Sequence, residues 1–147
     1  MLAKTPYGRI AMPIHKLDHV NIRTENLAGQ IDFHERIMGL SQGPRPGFDF
    51  PGAWMYAGDQ AVVHLVGTAA RPRDYQVDQR LEHYAMSATG LGDFLAHLRR
   101  HKIAYYCRVL PDFGIRQVNI HDPDGNHLHI DFPADEEADL TDYDGKA

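Results

Sequence analysis

The chain repeats itself. Lys16-Leu17-Asp18-His19 near the start matches Arg80-Leu81-Glu82-His83 past the middle, an offset of 64 residues. The same offset carries Leu27 onto Leu91 and Ile31 onto Leu95. A later pair follows the same rule, for His64 lies 45 residues after His19 and His129 lies 46 after His83. A repeat of this kind restricts a chain of 147 residues to one module used twice around a shared core. It also places four imidazoles at equivalent positions, which points to a metal site rather than to core packing.

Composition excludes several function classes. A net charge of −5 and scattered Lys and Arg give no basic stripe, so nucleic-acid binding is not expected. No apolar run approaches the roughly 20 residues of a membrane span, and no secretory signal is visible. The single cysteine, Cys107, allows no internal disulfide and suits a reducing compartment, so a cytoplasmic location is expected. Histidine is the outlier, at ten residues against 15 Lys plus Arg.

Periodicity divides the chain. Residues 1–15 read as an extended arm, 16–66 as module one, 67–79 as a linker, 80–132 as module two and 133–147 as an acidic tail, either mobile or an arm over a partner. In module one, alternation predicts a strand over Leu17–Arg23, with Val20 and Ile22 on one face and His19, Asn21 and Arg23 on the other. Asn26 is placed to cap a helix that runs to about Met38 and stops at Gly39. A loop around a short strand spans 41–51, and two strands over 53–57 and 61–66 form a hairpin. Module two repeats the order: strand 81–87, helix 91–100, strands 104–109 and 115–120, a turn at 122–126, and a last strand 127–132. Each half is therefore β-α-β-β-β, an α+β arrangement in which two sheets can curl around one concave face.

On these strands His19, His64, His83 and His129 are the candidate metal ligands. Imidazole suits several divalent ions, so Fe, Zn, Ni, Co and Mn all remain open. His127 shares a strand face with His129 and is expected to support the ligands or touch substrate. Asp18 and Glu82 are expected to point to the opposite face, away from the ion. His34, His97 and His101 fall on helices and read as structural or solvated.

The opening Leu17-Asp18-His19-Val20, with its helix ending Met38-Gly39-Leu40, resembles the start of a vicinal oxygen chelate module. The ending Asp122-Pro123-Asp124-Gly125-Asn126-His127-Leu128-His129-Ile130 resembles that superfamily's closing motif, Asp-Pro-x-Gly-Asn-x-(Ile/Leu)-Glu-(Leu/Ile). The group includes glyoxalases, bleomycin-resistance proteins and extradiol dioxygenases, and the resemblance covers residues 16–132. It implies two βαβββ modules forming glyoxalase-like half-barrels, with ligands at His19, His64, His83 and His129. His129 departs from the glutamate usual there, so neither the carboxylate-base isomerase scheme nor the two-His-one-carboxylate dioxygenase scheme transfers intact, and no catalytic residue is assigned.

The resemblance further implies that a small oxygen-rich substrate chelates the ion. Arg23, Phe50, Trp54, Tyr56, Tyr105, Gln117 and His127 are candidates for the surrounding wall. The function expected is a metal-dependent enzyme of the glyoxalase or dioxygenase type. The alternative is a non-catalytic protein that sequesters a ligand, as bleomycin-resistance proteins do. A homodimer is expected, because many members pair the first module of one chain with the second module of another. Pairing within one chain satisfies the sequence equally well.

Overall fold

The structure, a computed structural model, describes residues 16–70 and 81–146. The expected arm (1–15), most of the linker (71–79) and Arg80 of the repeat lie outside the described residues. The first half runs β1 (Val20–Thr24), α1 (Leu27–Asp32), β2 (Ser41–Gly43), β3 (Gly52–Ala57) and β4 (Gln60–Gly67). The second runs β5 (His83–Ser87), α2 (Leu91–Arg100), β6 (Tyr106–Leu110), β7 (Ile115–His121) and β8 (His127–Pro133). The sheet orders are β1-β4-β3-β2 and β5-β8-β7-β6, the same topology twice, so the repeat in sequence is a repeat in fold. In each sheet the first strand is parallel to the last, and the other pairs are antiparallel.

Local signals account for the boundaries. Asn26 accepts a hydrogen bond from the Gly29 amide at 3.1 Å, which satisfies one of the free donors at the start of α1. The helix does not stay α to its end. Phe33–Ile37 widen into a π-helical turn, with Met38 N–H donating to the Phe33 carbonyl at 3.1 Å. Gly39, at φ +69°, then ends it without the penalty a side chain would carry there. In α2, Leu91, Leu95 and Leu98 recur at helical spacing, and all three are buried. Each such burial contributes on the order of 2 kcal/mol.

Two apolar clusters follow. One holds Ile22, Ala53, Met55, Val63 and Leu65 of the first sheet, with Leu27 and Ile31 packed on it. The other holds the α2 leucines with Val118, Ile120, Leu128, Ile130 and Phe132 of the second sheet, and also Phe33 and Ile37. The first helix segment therefore belongs to both cores and ties the modules together. His97 and His101 reinforce the tie, since both bond Arg36 at 2.8 Å, one through its carbonyl and one through its guanidinium.

The acidic tail is not a free arm in this structure. Tyr143 and Tyr105 exchange backbone hydrogen bonds at 2.9 and 3.0 Å, and Ala138, Leu140 and Tyr143 pack on the second core. The Glu136 carboxylate accepts from the Gly90 and Leu91 amides at 2.8 and 2.6 Å, at the N-terminus of α2. Among the described residues no helix is long and apolar enough to cross a membrane.

Candidate metal centre

Register decides which side chains meet. In the first sheet His64 lies beside Asn21 on one side and opposite Trp54 on the other, so these three share the face away from the core. His19, just before β1, joins them. The His19 and His64 rings stack at 3.8 Å with 14° between planes, and Trp54 stacks on the other side of His64 at 3.9 Å and 8°. His64 is thus the middle of a three-ring sandwich. Burial first, and then the neighbouring His19, hold its pKa below the ordinary histidine value.

In the second sheet His83, Ala85 and Ser87 pair with His127, His129 and Asp131, which pair in turn with His121, Asn119 and Gln117. Tyr106 and Arg108 lie opposite Asn119 and Gln117. One face of module two therefore carries four histidines with Asn119, Gln117, Tyr106 and Asp131 among them. His83 and His129 have ring centroids 4.7 Å apart, and His83 and His127 5.3 Å apart.

Three of the expected ligands share a further feature. His19 Nδ1 lies 2.7 Å from Asp18, His129 Nδ1 lies 2.7 Å from Asp131, and His83 Nδ1 bonds Glu82. A carboxylate only accepts, so each Nδ1 donates and each Nε2 is left as the lone-pair nitrogen of the neutral ring. A carboxylate on the far nitrogen is what orients a metal-bound imidazole and raises its basicity. This donor set fits a divalent ion. It also offsets the negative charge that is absent where His129 stands in place of a glutamate, because Asp18, Glu82 and Asp131 place negative charge one hydrogen bond behind three neutral ligands.

The expectation for Asp18 and Glu82 is corrected by these contacts. Both carboxylates turn to the histidine side, because β1 begins only at Val20 and β5 only at His83, and strand alternation does not govern the residues before them. Glu82 goes further and accepts from His127 Nδ1 at 2.8 Å through its other oxygen. The hydrogen bonds from His83 first, and then from His127, hold its carboxyl down at about 2. The His19 bond likewise lowers Asp18. Among the described residues, Glu82, His83 and His127 are the group of three whose potential ligand atoms all lie within 4.8 Å of one another.

The structure brings His19 to His64 and His83 to His129, as two pairs on two sheets. The first pair does not converge on one point. Nearly parallel rings send their lone pairs side by side, so one ring must turn before both nitrogens can meet one ion.

The expected wall residues separate. Trp54 and Gln117 are on the histidine faces, and Arg23 is exposed on the His64 face of β1. Phe50 stacks on Phe48 at 4.9 Å, with the Arg45 guanidinium over both rings. Tyr56 is tied to the β2 side by its hydroxyl, which donates to the Pro44 carbonyl at 2.6 Å. Tyr105 lies in the core, 4% exposed, and its hydroxyl accepts from Arg99. Its neighbour Tyr106 takes the histidine face instead, because β6 starts there and sets the phase. Alternation along 127–132 already sets Asp131 on the face of His127 and His129 and leaves the role of His121 open, whereas nothing in the sequence marks Asn119 or Tyr106. The registers of β6 with β7 and of β7 with β8 bring them onto that face.

No family model matches the sequence, and no curated protein resembles it closely enough to count as a relative. Solved structures do resemble it. A glyoxalase/dioxygenase from Nostoc punctiforme is 21% identical, covers 85% of this chain and 97% of its own, and superposes with a TM-score of 0.68. A glyoxylase/bleomycin resistance protein/dioxygenase domain from Frankia sp. is 15% identical over 84% and 96% of the two chains, with a TM-score of 0.67. Lactoylglutathione lyase from Agrobacterium tumefaciens is 17% identical over 82% and 95%, with a TM-score of 0.61. At these identities the similarity is one of fold: the chain shares its fold with these glyoxalase-like structures.

Proposed function

We propose, from this fold, that the chain is a metal-dependent enzyme that binds an oxygen-rich small molecule on a divalent ion, in reactions of the glyoxalase or dioxygenase type. The observation that carries the reading is the set His19, His83 and His129. Each is clamped at Nδ1 by its own carboxylate, and His64 lies beside the first. In this reading His19, His64, His83 and His129 are the ligands. The two pairs meet either across the modules of one chain or across a homodimer in which module one of one copy faces module two of the other. A bound divalent ion supplies Lewis acidity and open positions for two adjacent substrate oxygens.

The chain's own residues do the rest. Asp18, Glu82 and Asp131 fix the imidazole tautomers and balance charge. Trp54 gives a flat wall beside His64. Arg23 offers a cation for a substrate carboxylate. A cytoplasmic location and the absence of nucleic-acid and membrane partners belong to the same proposal.

The sequestering alternative keeps one observation in its favour. The Trp54–His64–His19 stack is a ready aromatic surface for a flat ligand, and it needs no metal. A single experiment separates the two. Trp54 is the only tryptophan in the chain, and it touches His64. Titrating Zn²⁺ into protein prepared without a histidine tag changes its fluorescence if His64 turns to bind the ion, and chelator reverses the change. Zn²⁺ binding with no fluorescence change removes His64 from the ligand set. No binding of any divalent ion removes the enzyme reading.

A further inference from the structure

We propose that Glu82, His83 and His127 form a metal site in their own right, complete within one chain, which takes a divalent first-row transition ion. Its position differs from that of the four-histidine set, because it uses Nδ1 of His83 and needs neither His19 nor His64; a His83 that binds through Nδ1 carries its proton on Nε2, so the two sites are alternatives at that ring.

The geometry is convergent. Two imidazoles direct the same nitrogen, Nδ1, at the two oxygens of one carboxylate, His127 at 2.8 Å and His83 in direct contact. The three potential ligand atoms lie within 4.8 Å of one another, so one ion in place of two protons draws together groups that already face each other. The backbone explains the meeting: His83 and His127 are register partners on adjacent strands, and Glu82 immediately precedes His83. His127 is held from its far side as well. Its Nε2 lies 3.0 Å from Asn119 Oδ1 and 3.4 Å from the Tyr106 hydroxyl, and His121, the next residue across in register, stacks on it at 5.3 Å and 25°. A ring positioned on three sides loses little freedom when it binds an ion.

The donor chemistry is specific. Two imidazoles and one carboxylate with remaining open positions are the set that suits ferrous iron and related ions. The Glu82 side chain is 66% exposed and that of His127 is 15% exposed, so the site is anchored on one side and open to solvent on the other. Glu82 also supplies the anionic ligand that His129 cannot.

The test uses full-length protein without a tag, titrated with Co²⁺ and followed by calorimetry and by its visible absorption. In a His19→Ala/His64→Ala background, which destroys the four-histidine set, one equivalent of Co²⁺ still binds. Adding Glu82→Gln or His127→Gln to that background weakens binding by more than the roughly 10- to 100-fold that loss of an outer carboxylate produces. If the background alone binds no Co²⁺, or binds it equally well with Glu82→Gln, the inference is overturned. Circular dichroism confirms folding of each variant, and the exposed Glu82 carries the test if His127→Gln does not fold. Failure here leaves the four-histidine reading standing when wild-type protein binds Co²⁺ and the background does not. Failure of that reading leaves this one standing when the background binds as wild type does.

Discussion

Gln30 is the most informative place to perturb the union of the two modules. Its side chain is fully buried on α1, yet Nε2 donates across 92 residues of sequence to Asp122 at 2.9 Å and also donates to Asp124 at 2.7 Å. Gln30→Met keeps volume and removes both bonds. Hydrogen bonds to charged groups contribute roughly 1.5–3 kcal/mol each, so the gross loss is about 3–6 kcal/mol. Two effects reduce it. Gln30 Oε1 is buried without a partner among the described residues, and deleting such a group returns about 1–3 kcal/mol. Asp122 also keeps the Asp124 and Asn126 amides and the Asn126 side chain, all at 2.9 Å. The net expectation is a loss of about 2–3 kcal/mol. Urea denaturation followed by circular dichroism measures it, with the midpoint lowered and the slope unchanged. A double-mutant cycle with Asp124→Asn should show coupling of about 1 kcal/mol or more. A Gln30→Met protein within about 0.5 kcal/mol of wild type, the ordinary range for a surface change, would refute the argument that this bridge holds the modules.

Three further outcomes follow from the same geometry. His34 is fully buried, its Nδ1 donates to the Gln30 carbonyl at 2.8 Å, and Nε2 has no partner among the described residues. Burial lowers its pKa, outweighing the Gln30 carbonyl and Asp122, which act in the opposite sense. The unfolded chain takes a proton near 6.5 that the folded chain refuses, so stability falls as pH drops below that value, by at most about 1.4 kcal/mol per unit. His34→Gln should flatten the difference between urea midpoints at pH 7.5 and 5.5, and an unchanged difference would assign it to other groups. Glu136→Ala removes the carboxylate from the start of α2 and should lower stability by about 1 kcal/mol, with faster amide exchange at Gly90 and Leu91. His129→Glu restores the superfamily's usual ligand but sets a carboxylate where Nδ1 now bonds Asp131 at 2.7 Å. The single change should destabilise the fold, and adding Asp131→Asn should recover it. Isomerase activity is then expected in the double variant above the single one, and its absence from both would show that the glutamate is not what the chemistry lacks.

Much of the architecture is legible in the sequence. The 64-residue offset implied two βαβββ halves, and the sheets reproduce one strand order twice. Alternation along the last strand, 127–132, puts Leu128, Ile130 and Phe132 on the face opposite His127 and His129, and all three are buried. The failures lie at strand ends. Alternation holds only from Val20 and His83 onward, so it gives the wrong face for Asp18 and Glu82, two carboxylates that hold histidines. One residue of phase at β6 exchanged Tyr105 for Tyr106. The π-helical turn at Phe33–Ile37 was not legible either. It has no signal in residue type and follows from fitting Phe33 and Ile37 into a core that the second module supplies.

By itself, the sequence determined the module, its duplication and the strands that carry His64, His83 and His129, with His19 falling just before one, because apolar periodicity and turn residues are local and act within a few positions. Only the tertiary structure decided which groups meet. It stacked His64 between His19 and Trp54, gave each of three imidazoles a carboxylate, and joined Glu82 to His83 and His127. Those contacts depend on register between strands far apart in the chain and on how a side chain turns once its strand has ended, and neither is written in the spacing of residues along one segment.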